Sequence, residues 1–127
     1  MTTPEGVRTA AVVLDCPDPK ALAEFYAALL GWPGEPEISY EGRWAELHNP
    51  GGGMTLEFQR AAEYHPPTWP DPQRPQMFHL DIKVPDLDAG EKQALAIGAT
   101  VLDVSGDHPT FRVYADPAGH PFCLCAC

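Results

Sequence analysis

The sequence repeats one pattern in its two halves, and this repeat limits the possible folds more than any other feature. A predicted apolar strand leads into Asp18 in the first half, and a second one leads into Asp86. Each Asp suits a helix N-cap, because a short carboxylate accepts hydrogen bonds from the free amides of the first turn. Each predicted helix then stops at a glycine, Gly31 or Gly98. The two glycines are separated by almost the same number of residues as the two aspartates. This constant offset between the halves favours two similar structural units.

A third landmark recurs at this offset. Asn49 opens an Asn-Pro-Gly-Gly turn before the last predicted strand of the first half, and Asp116 opens an Asp-Pro-Ala-Gly turn in the second half. Two more strands are predicted between each helix and its turn, near residues 37–40, 44–48, 100–104 and 111–115. Each half therefore reads strand–helix–strand–strand–strand, which predicts an α+β fold of two pseudo-repeated βαβββ modules.

A proline-rich segment, at about residues 61–76, joins the halves. Its five prolines around Trp69 exclude a helix or a central strand and favour an extended connection. We expect a single domain over residues 1–127, with the first module at about 7–60 and the second at about 77–127. Trp69 is a candidate for lining a ligand pocket, and the alternative is that it packs the connection onto a sheet.

The charge balance excludes one class of partner. The chain has 18 Asp and Glu residues against 8 Lys and Arg residues, a formal net charge of −10. Nucleic acid and anionic membranes require clustered basic residues, and none cluster in this sequence. Neither a membrane span nor a secretory signal is expected, so a cytoplasmic protein is predicted. The acidity serves solubility or, as an alternative, favours a cationic ligand.

The paired modules, their turns and the Phe-Tyr-x-x-Leu-Leu-Gly-Trp segment at residues 25–32 resemble the vicinal oxygen chelate superfamily. This superfamily includes glyoxalase I, extradiol dioxygenases, and bleomycin and fosfomycin resistance proteins. The prolines at residues 66–70 and the ending at residues 116–125 look most like small actinobacterial glyoxalase-like proteins. The resemblance implies two modules whose curled sheets form a cleft, and a homodimer. It also implies a divalent metal held by four His or Glu side chains, from the first and last strand of each module.

Two of the four implied ligand positions keep a usual ligand, His79 in the second module and Glu57 in the first. Ala11 stands at a third position and offers no donor atom. Cys123 stands where the family usually has Glu. No metal is favoured at such a degenerate site. The alternative is zinc, nickel, manganese or iron held by Glu57, His79 and Cys123, because three protein ligands and an open position make a catalytic zinc pattern.

The expected function is therefore small-molecule binding in the cleft. The alternative is a metal-dependent lyase, isomerase or dioxygenase acting on a small oxygen-chelating substrate. Glu57 is then a candidate general base and His79 a candidate proton donor or acceptor, against purely structural roles for both. Trp44 and Tyr114 are candidate walls of the cleft, although core packing would explain either residue.

Strand alternation adds an expectation for the cysteines. Cys123, Cys125 and Cys127 share one face of the last strand, and the residues between them face the helix. We expect these thiols to act as small apolar residues, with a soft-metal or redox role as the alternative. Asp81 and Lys83 share the face of the candidate histidine and are expected to pair with each other, with lining of the cleft as the alternative.

Overall fold

The computed structural model describes residues 5–126, which cluster into two compact units that divide between Ala61 and Ala62. Each unit contains an open four-stranded sheet and one helix, in the order strand–helix–strand–strand–strand. This arrangement confirms the predicted α+β fold of two repeated βαβββ modules. Residues 62–76 of the proline-rich connection belong to the second unit by their contacts.

The first module orders its strands β1-β4-β3-β2. Strand β1 runs parallel to β4, and the other neighbours are antiparallel. A short 3-10 turn at Tyr40–Gly42 joins β2 to β3. The elements in chain order are β1 (Ala11–Cys16), α1 (Pro19–Leu30), β2 (Glu37–Ser39), β3 (Trp44–Leu47) and β4 (Thr55–Arg60).

Helix α1 packs over one face of this sheet. It begins as predicted, because the Asp18 carboxylate accepts a hydrogen bond from the amide of the third helical residue at 3.3 Å and Pro19 occupies the first turn. It ends as predicted at Gly31, whose φ of 67° is left-handed. The ring of Tyr26 stacks on that of Phe58 in β4, with centroids 5.9 Å apart. The buried residues of α1 recur at helical spacing: Pro19, Leu22, Ala23, Phe25, Tyr26 and Leu29.

The second module repeats this topology with the order β5-β8-β7-β6, and β5 runs parallel to β8. Asp86 caps its helix by accepting a hydrogen bond from the Asp88 amide at 2.9 Å. The helix closes at Ile97, one residue before the predicted Gly98. Neither helix of residues 5–126 is long and apolar enough to span a membrane. The elements are β5 (Leu80–Lys83), α2 (Leu87–Ala96), β6 (Thr100–Asp103), β7 (Phe111–Ala115) and β8 (Pro121–Cys125).

Polar contacts hold α2 against its sheet. Ala94 is the helix's one buried residue within the described chain, so apolar packing contributes less here than under α1. The Tyr114 hydroxyl donates to Glu91 Oε1 at 2.8 Å, and the Arg112 guanidinium donates to Asp88 Oδ1 at 2.9 Å. A second Arg112 nitrogen lies 3.7 Å from Glu91 Oε2. Two residues of β7 thus anchor the first half of the helix.

The first strand of the second module is more exposed than the sequence predicted. Strand β5 begins at Leu80, and the apolar Phe78 just before it is 61% exposed. The reason is that β5 is an edge strand and α2 covers little apolar surface. The residues just before β5 therefore lie open to solvent.

The repeated turns use the same side-chain contact, which confirms the third repeated landmark. Asn49 Oδ1 accepts a hydrogen bond from the Gly51 amide at 2.8 Å. Asp116 Oδ1 accepts one from the Ala118 amide at 2.8 Å and one from the His120 amide at 3.0 Å. Asp and Asn favour turns because their short side chains bond to the backbone two residues ahead.

The proline-rich connection packs on the second of these turns. The Tyr64 hydroxyl donates to the Ala118 carbonyl at 2.7 Å. Gly119, with a φ of 92°, lies so close to the connection that an added Cβ would come within 2.6 Å of Pro66 Cβ. The contact explains why this turn requires a residue without a side chain.

We predict that Gly119→Ala destabilises the protein by at least about 1 kcal/mol, because a left-handed φ disfavours a Cβ and Pro66 occupies its space. Gly106→Ala is the matched control, since its φ is ordinary and nothing lies within 4 Å of the added atom. Urea unfolding followed by circular dichroism measures both. Equal stabilities for the two variants would contradict the packing described.

Candidate functional site

The face of the second sheet that points away from α2 carries two of the candidate residues, His79 and Cys123. The parallel register pairs Asp81 of β5 with Cys123 of β8. Phe122 and Leu124, on the other face, are 0% exposed. The predicted alternation is therefore confirmed for Cys123 and Cys125, and Cys127 lies outside the described residues.

His79, Asp81 and Cys123 form a compact cluster on this face. His79 Nε2 lies 3.2 Å from Asp81 Oδ1, and one potential ligand atom from each of the three residues lies within 4.8 Å of the other two. The expected Asp81–Lys83 pair is corrected by this geometry, because Asp81 pairs with the histidine. Lys83 is exposed at the strand end, where hydration offsets most of the gain from an ion pair.

A pocket of about 240 Å³ opens beside this cluster. Phe111 of β7 lies opposite Cys125 in register, so its ring and the thiols supply an apolar wall. The histidine and the carboxylate add polar groups at one side. The lining residues are His79, Asp81, Thr110, Phe111, Cys123 and Cys125.

The Cys123 thiol is protonated at neutral pH. Burial raises the pKa of Cys123 to about 12, and the negative charge of Asp81 adds to the increase. Thiolates, rather than thiols, are nucleophiles and metal ligands. In the metal-free protein this side chain is therefore a small apolar group, and a metal would have to displace its proton.

Glu57 and Trp44 lie together in the first module. The Trp44 indole Nε1 donates to Glu57 Oε1 at 2.8 Å, and the Thr55 hydroxyl donates to Glu57 Oε2 at 3.0 Å. Glu57 alternates with the buried Leu56 and Phe58, so it faces away from α1. A pocket of about 460 Å³ lies here, lined by Ser39, Tyr40, Trp44, Glu46 and Glu57.

Three glutamates cross the first sheet in one row. Glu37 of β2 pairs in register with Glu46 of β3, and Glu46 pairs with Glu57 of β4. Like charges directly opposite on neighbouring strands repel one another. The two hydrogen bonds to Glu57 offset part of this repulsion. Some of the chain's net negative charge is thus concentrated on one face of the first module.

The other two aromatic candidates lie elsewhere. Tyr114 points toward α2, on the opposite face of the sheet from Cys123, and stacks on Phe122. Burial, with the hydrogen bond to Glu91, raises its pKa well above the usual tyrosine value. Trp69 is half-buried in the proline-rich connection, and it is not among the lining residues of either pocket described above.

The ligand positions implied by the resemblance fit a metal only in the second module. Ala11 lies beside Thr55 in the first sheet and offers no donor, and both oxygens of Glu57 already accept hydrogen bonds. The second module offers a histidine nitrogen, a carboxylate oxygen and a cysteine sulfur. Zinc accepts all three donor types.

Sequence reasoning missed Asp81 as a partner of His79, and it missed Phe111 and Thr110 as pocket residues. Alternation alone placed Asp81 on the correct face, so a signal for it was present. Phe111 becomes a neighbour of Cys125 only through the β7–β8 register, which no local pattern reveals.

Comparison with known proteins gives a consistent family and fold. A family model described as a glyoxalase-like domain matches residues 11–125. No curated protein matches the chain.

Three solved structures share the fold at low identity. A glyoxalase/bleomycin resistance protein/dioxygenase family enzyme from Burkholderia phytofirmans is 17% identical, with a TM-score of 0.65, 91% of this chain covered and 94% of that one. A glyoxalase-related enzyme from Fulvimarina pelagi is 19% identical, with a TM-score of 0.64 and coverage of 93% and 86%. The fosfomycin resistance protein FosX from Mesorhizobium loti is 10% identical, with a TM-score of 0.67 and coverage of 98% and 94%.

We predict that Asp81→Asn lowers the pKa of the Cys123 thiol, because the substitution removes a nearby negative charge that opposes ionisation. Alkylation of Cys123 by iodoacetamide at pH 9 should then be severalfold faster than in the wild type. Tandem mass spectrometry distinguishes Cys123 from Cys125. Glu24→Gln, an exposed charge removal on α1, should leave the rate unchanged; an unchanged rate in Asp81→Asn would contradict the described proximity.

Proposed function

Because the chain belongs to the family of glyoxalase-like domain proteins, a fold family that hosts unrelated chemistries, we propose a function from its own residues. The chain binds a small organic molecule in the pocket of the second module. The observation that carries this proposal is the pocket that joins His79, Asp81 and Cys123 to the ring of Phe111.

The composition of this pocket supports a small ligand with one polar end. Ligand sites are mostly apolar concavities with a few convergent polar groups that fix orientation. Phe111, Cys123 and Cys125 would contact the apolar part of such a molecule. His79 and Asp81 would contact a polar group at the other end, and the pocket volume of about 240 Å³ suits a compact molecule.

The other expectations from the sequence extend this proposal. His79 is the proposed proton-transfer residue if the molecule bound in the second module reacts. Glu57 is the proposed general base of the first-module pocket, where Trp44 positions its carboxylate through a 2.8 Å hydrogen bond. A homodimer in the cytoplasm remains our prediction for the state in which the protein acts.

We predict that the dye 8-anilinonaphthalene-1-sulfonate binds the wild-type protein and that Phe111→Ala weakens its affinity by about tenfold, the equivalent of 1.4 kcal/mol. The lost ring is a main apolar contact of the pocket. Fluorescence titration gives the dissociation constants.

Tyr40→Ala is the matched control, because it removes an aromatic ring from the first-module pocket. A larger loss in Tyr40→Ala than in Phe111→Ala would move the binding site to the first module. Unfolding curves of both variants separate lost binding from lost stability.

A metal-dependent enzyme is the second candidate, favoured by the three donor atoms that lie within 4.8 Å of one another. We propose zinc as the metal, with His79, Asp81 and Cys123 as its ligands and a fourth position open. A bound zinc ion would polarise a substrate oxygen as a Lewis acid. Asp81 would then supply a metal ligand in the second module, whereas Ala11 in the first module supplies none.

For this candidate we predict that protein purified without chelators contains one zinc per chain. His79→Ala, Asp81→Asn and Cys123→Ser should lose it, because each removes one of three donors. Glu57→Gln should retain the metal, since this donor is absent from the cluster. Elemental analysis measures all four variants.

Loss of zinc in Glu57→Gln would instead indicate a site that includes the first module. Wild-type protein that neither contains zinc nor gains thermal stability when zinc is added would reject the metal-dependent candidate, since a ligand that binds the folded state must stabilise it.

A further inference from the structure

The connection between β6 and β7 is ordered by side-chain contacts that the proposed binding role does not use. Asp103, the last residue of β6, accepts a hydrogen bond from the Ser105 amide at 2.9 Å. The Ser105 hydroxyl oxygen accepts one from the Asp107 amide at 3.1 Å. The chain then reaches His108, three residues before the pocket residue Phe111.

His108 lies between two hydrogen-bond acceptors. Its Nδ1 lies 2.8 Å from the Phe111 carbonyl oxygen, and its Nε2 lies 3.0 Å from Asp103 Oδ1. The imidazole also stacks on the Phe111 ring, with centroids 4.3 Å apart and an interplanar angle of 16°. One side chain thus touches the end of β6, the start of β7 and the ring of a pocket residue.

The two acceptors determine which protonation state fits. A neutral imidazole carries one N–H, so it can donate to the carbonyl or face the carboxylate favourably, but not both. His108 Nε2 is shielded from solvent, and its approach to Asp103 is close without the alignment of an ideal hydrogen bond. A bare nitrogen lone pair facing this carboxylate would be repelled. The imidazolium, with a proton on each nitrogen, is attracted at both sides.

The same contacts determine the position of the pocket wall. Phe111 and Thr110 line the pocket of the second module. The Thr110 carbonyl accepts a hydrogen bond from the Ala126 amide at 2.9 Å, which ties the start of β7 to the end of β8. Because the His108 ring stacks on Phe111, a movement of His108 changes the packing of this pocket residue.

We propose that His108 is a positioning residue for this pocket: protonated, it clamps Phe111 against the ligand site, and on losing its proton it releases the wall. The consequence for ligand affinity rests on the proposed function, whereas the clamp itself does not. Asp103 is the carboxylate that faces the ring from β6. On the β7 side, the His108 ring contacts the carbonyl oxygen and the ring of Phe111. In the loop that carries His108, Asp107 is the nearest ionisable residue in sequence.

The direction of the pH dependence follows from these contacts. The Phe111 carbonyl and then Asp103 raise the pKa of His108 above the usual imidazole value. The Ser105 amide and then His108 lower the pKa of Asp103. Stabilisation by the raised His108 pKa is complete below the ordinary imidazole value and is lost as pH rises through the raised one. Stabilisation by the lowered Asp103 pKa is lost only in acid.

The clamp is tested in the ligand-free protein by nuclear magnetic resonance with ¹³C-labelled His and Phe. We expect the Phe111 ring signals to titrate with the midpoint of His108, and the Ala126 amide to lose about fivefold in exchange protection above this midpoint. Asp103→Asn should lower the midpoint for both residues. Asp81→Asn, the matched control at His79, should leave it unchanged.

A Phe111 signal that is independent of pH through the His108 titration would overturn the proposal, and so would a midpoint that follows Asp81→Asn. The ligand consequence is tested separately with 8-anilinonaphthalene-1-sulfonate. Its affinity should fall about three- to tenfold across the His108 midpoint, as expected for loss of a preorganised wall. His108→Gln should abolish this pH dependence. A dye affinity that does not change across the midpoint would overturn the regulatory role. Failure of the dye to bind would count against the proposed function, and the spectra of the ligand-free protein would still decide whether the clamp exists.

Discussion

The parallel pairing of the first and last strand is the contact on which the rest of each module depends. In the second module it places β5 beside β8 with Asp81 opposite Cys123, and in the first it places β1 beside β4 with Val13 opposite Glu57. A helix packs over one face of each sheet, so side chains alternate between a face covered by the helix and a face open to other groups. Residues far apart in sequence therefore share the open face.

The two modules reach this arrangement by different means. Helix α1 packs Phe25, Tyr26 and other apolar residues on its sheet, and burial of this kind needs no particular partner atom. Helix α2 buries little and depends on Tyr114 and Arg112 of β7. Directional contacts of this kind fix the helix position more specifically but fail when one partner is lost. The second module, which carries the cluster of His79, Asp81 and Cys123, therefore has the helix with the fewer apolar contacts.

Most of the fold could be predicted because its signals are local. Asp18, Gly31 and Asp116 each act within a few residues of themselves, so caps and turns are readable in sequence. The face of each β8 residue follows from the period of two. The site was less predictable, since the Asp81–His79 contact depends on side-chain conformation and the position of Phe111 depends on register. The side on which Tyr114 lies could not be read either, because it depends on which face of β7 meets α2.

The distribution of charge separates the two modules further. The first carries the row Glu37–Glu46–Glu57, in which each carboxylate faces another across one strand spacing. The pocket of the second is lined by one carboxylate, Asp81, in contact with a histidine and beside a thiol. Repulsion in the first row disfavours an anionic ligand at that face, whatever else binds there. The mixed donors of the second face can instead adapt to a neutral molecule or to a soft cation. Ala11 offers no donor atom, whereas Asp81 adds one beside His79 and Cys123, so the cluster of possible metal ligands among the described residues lies in the second module.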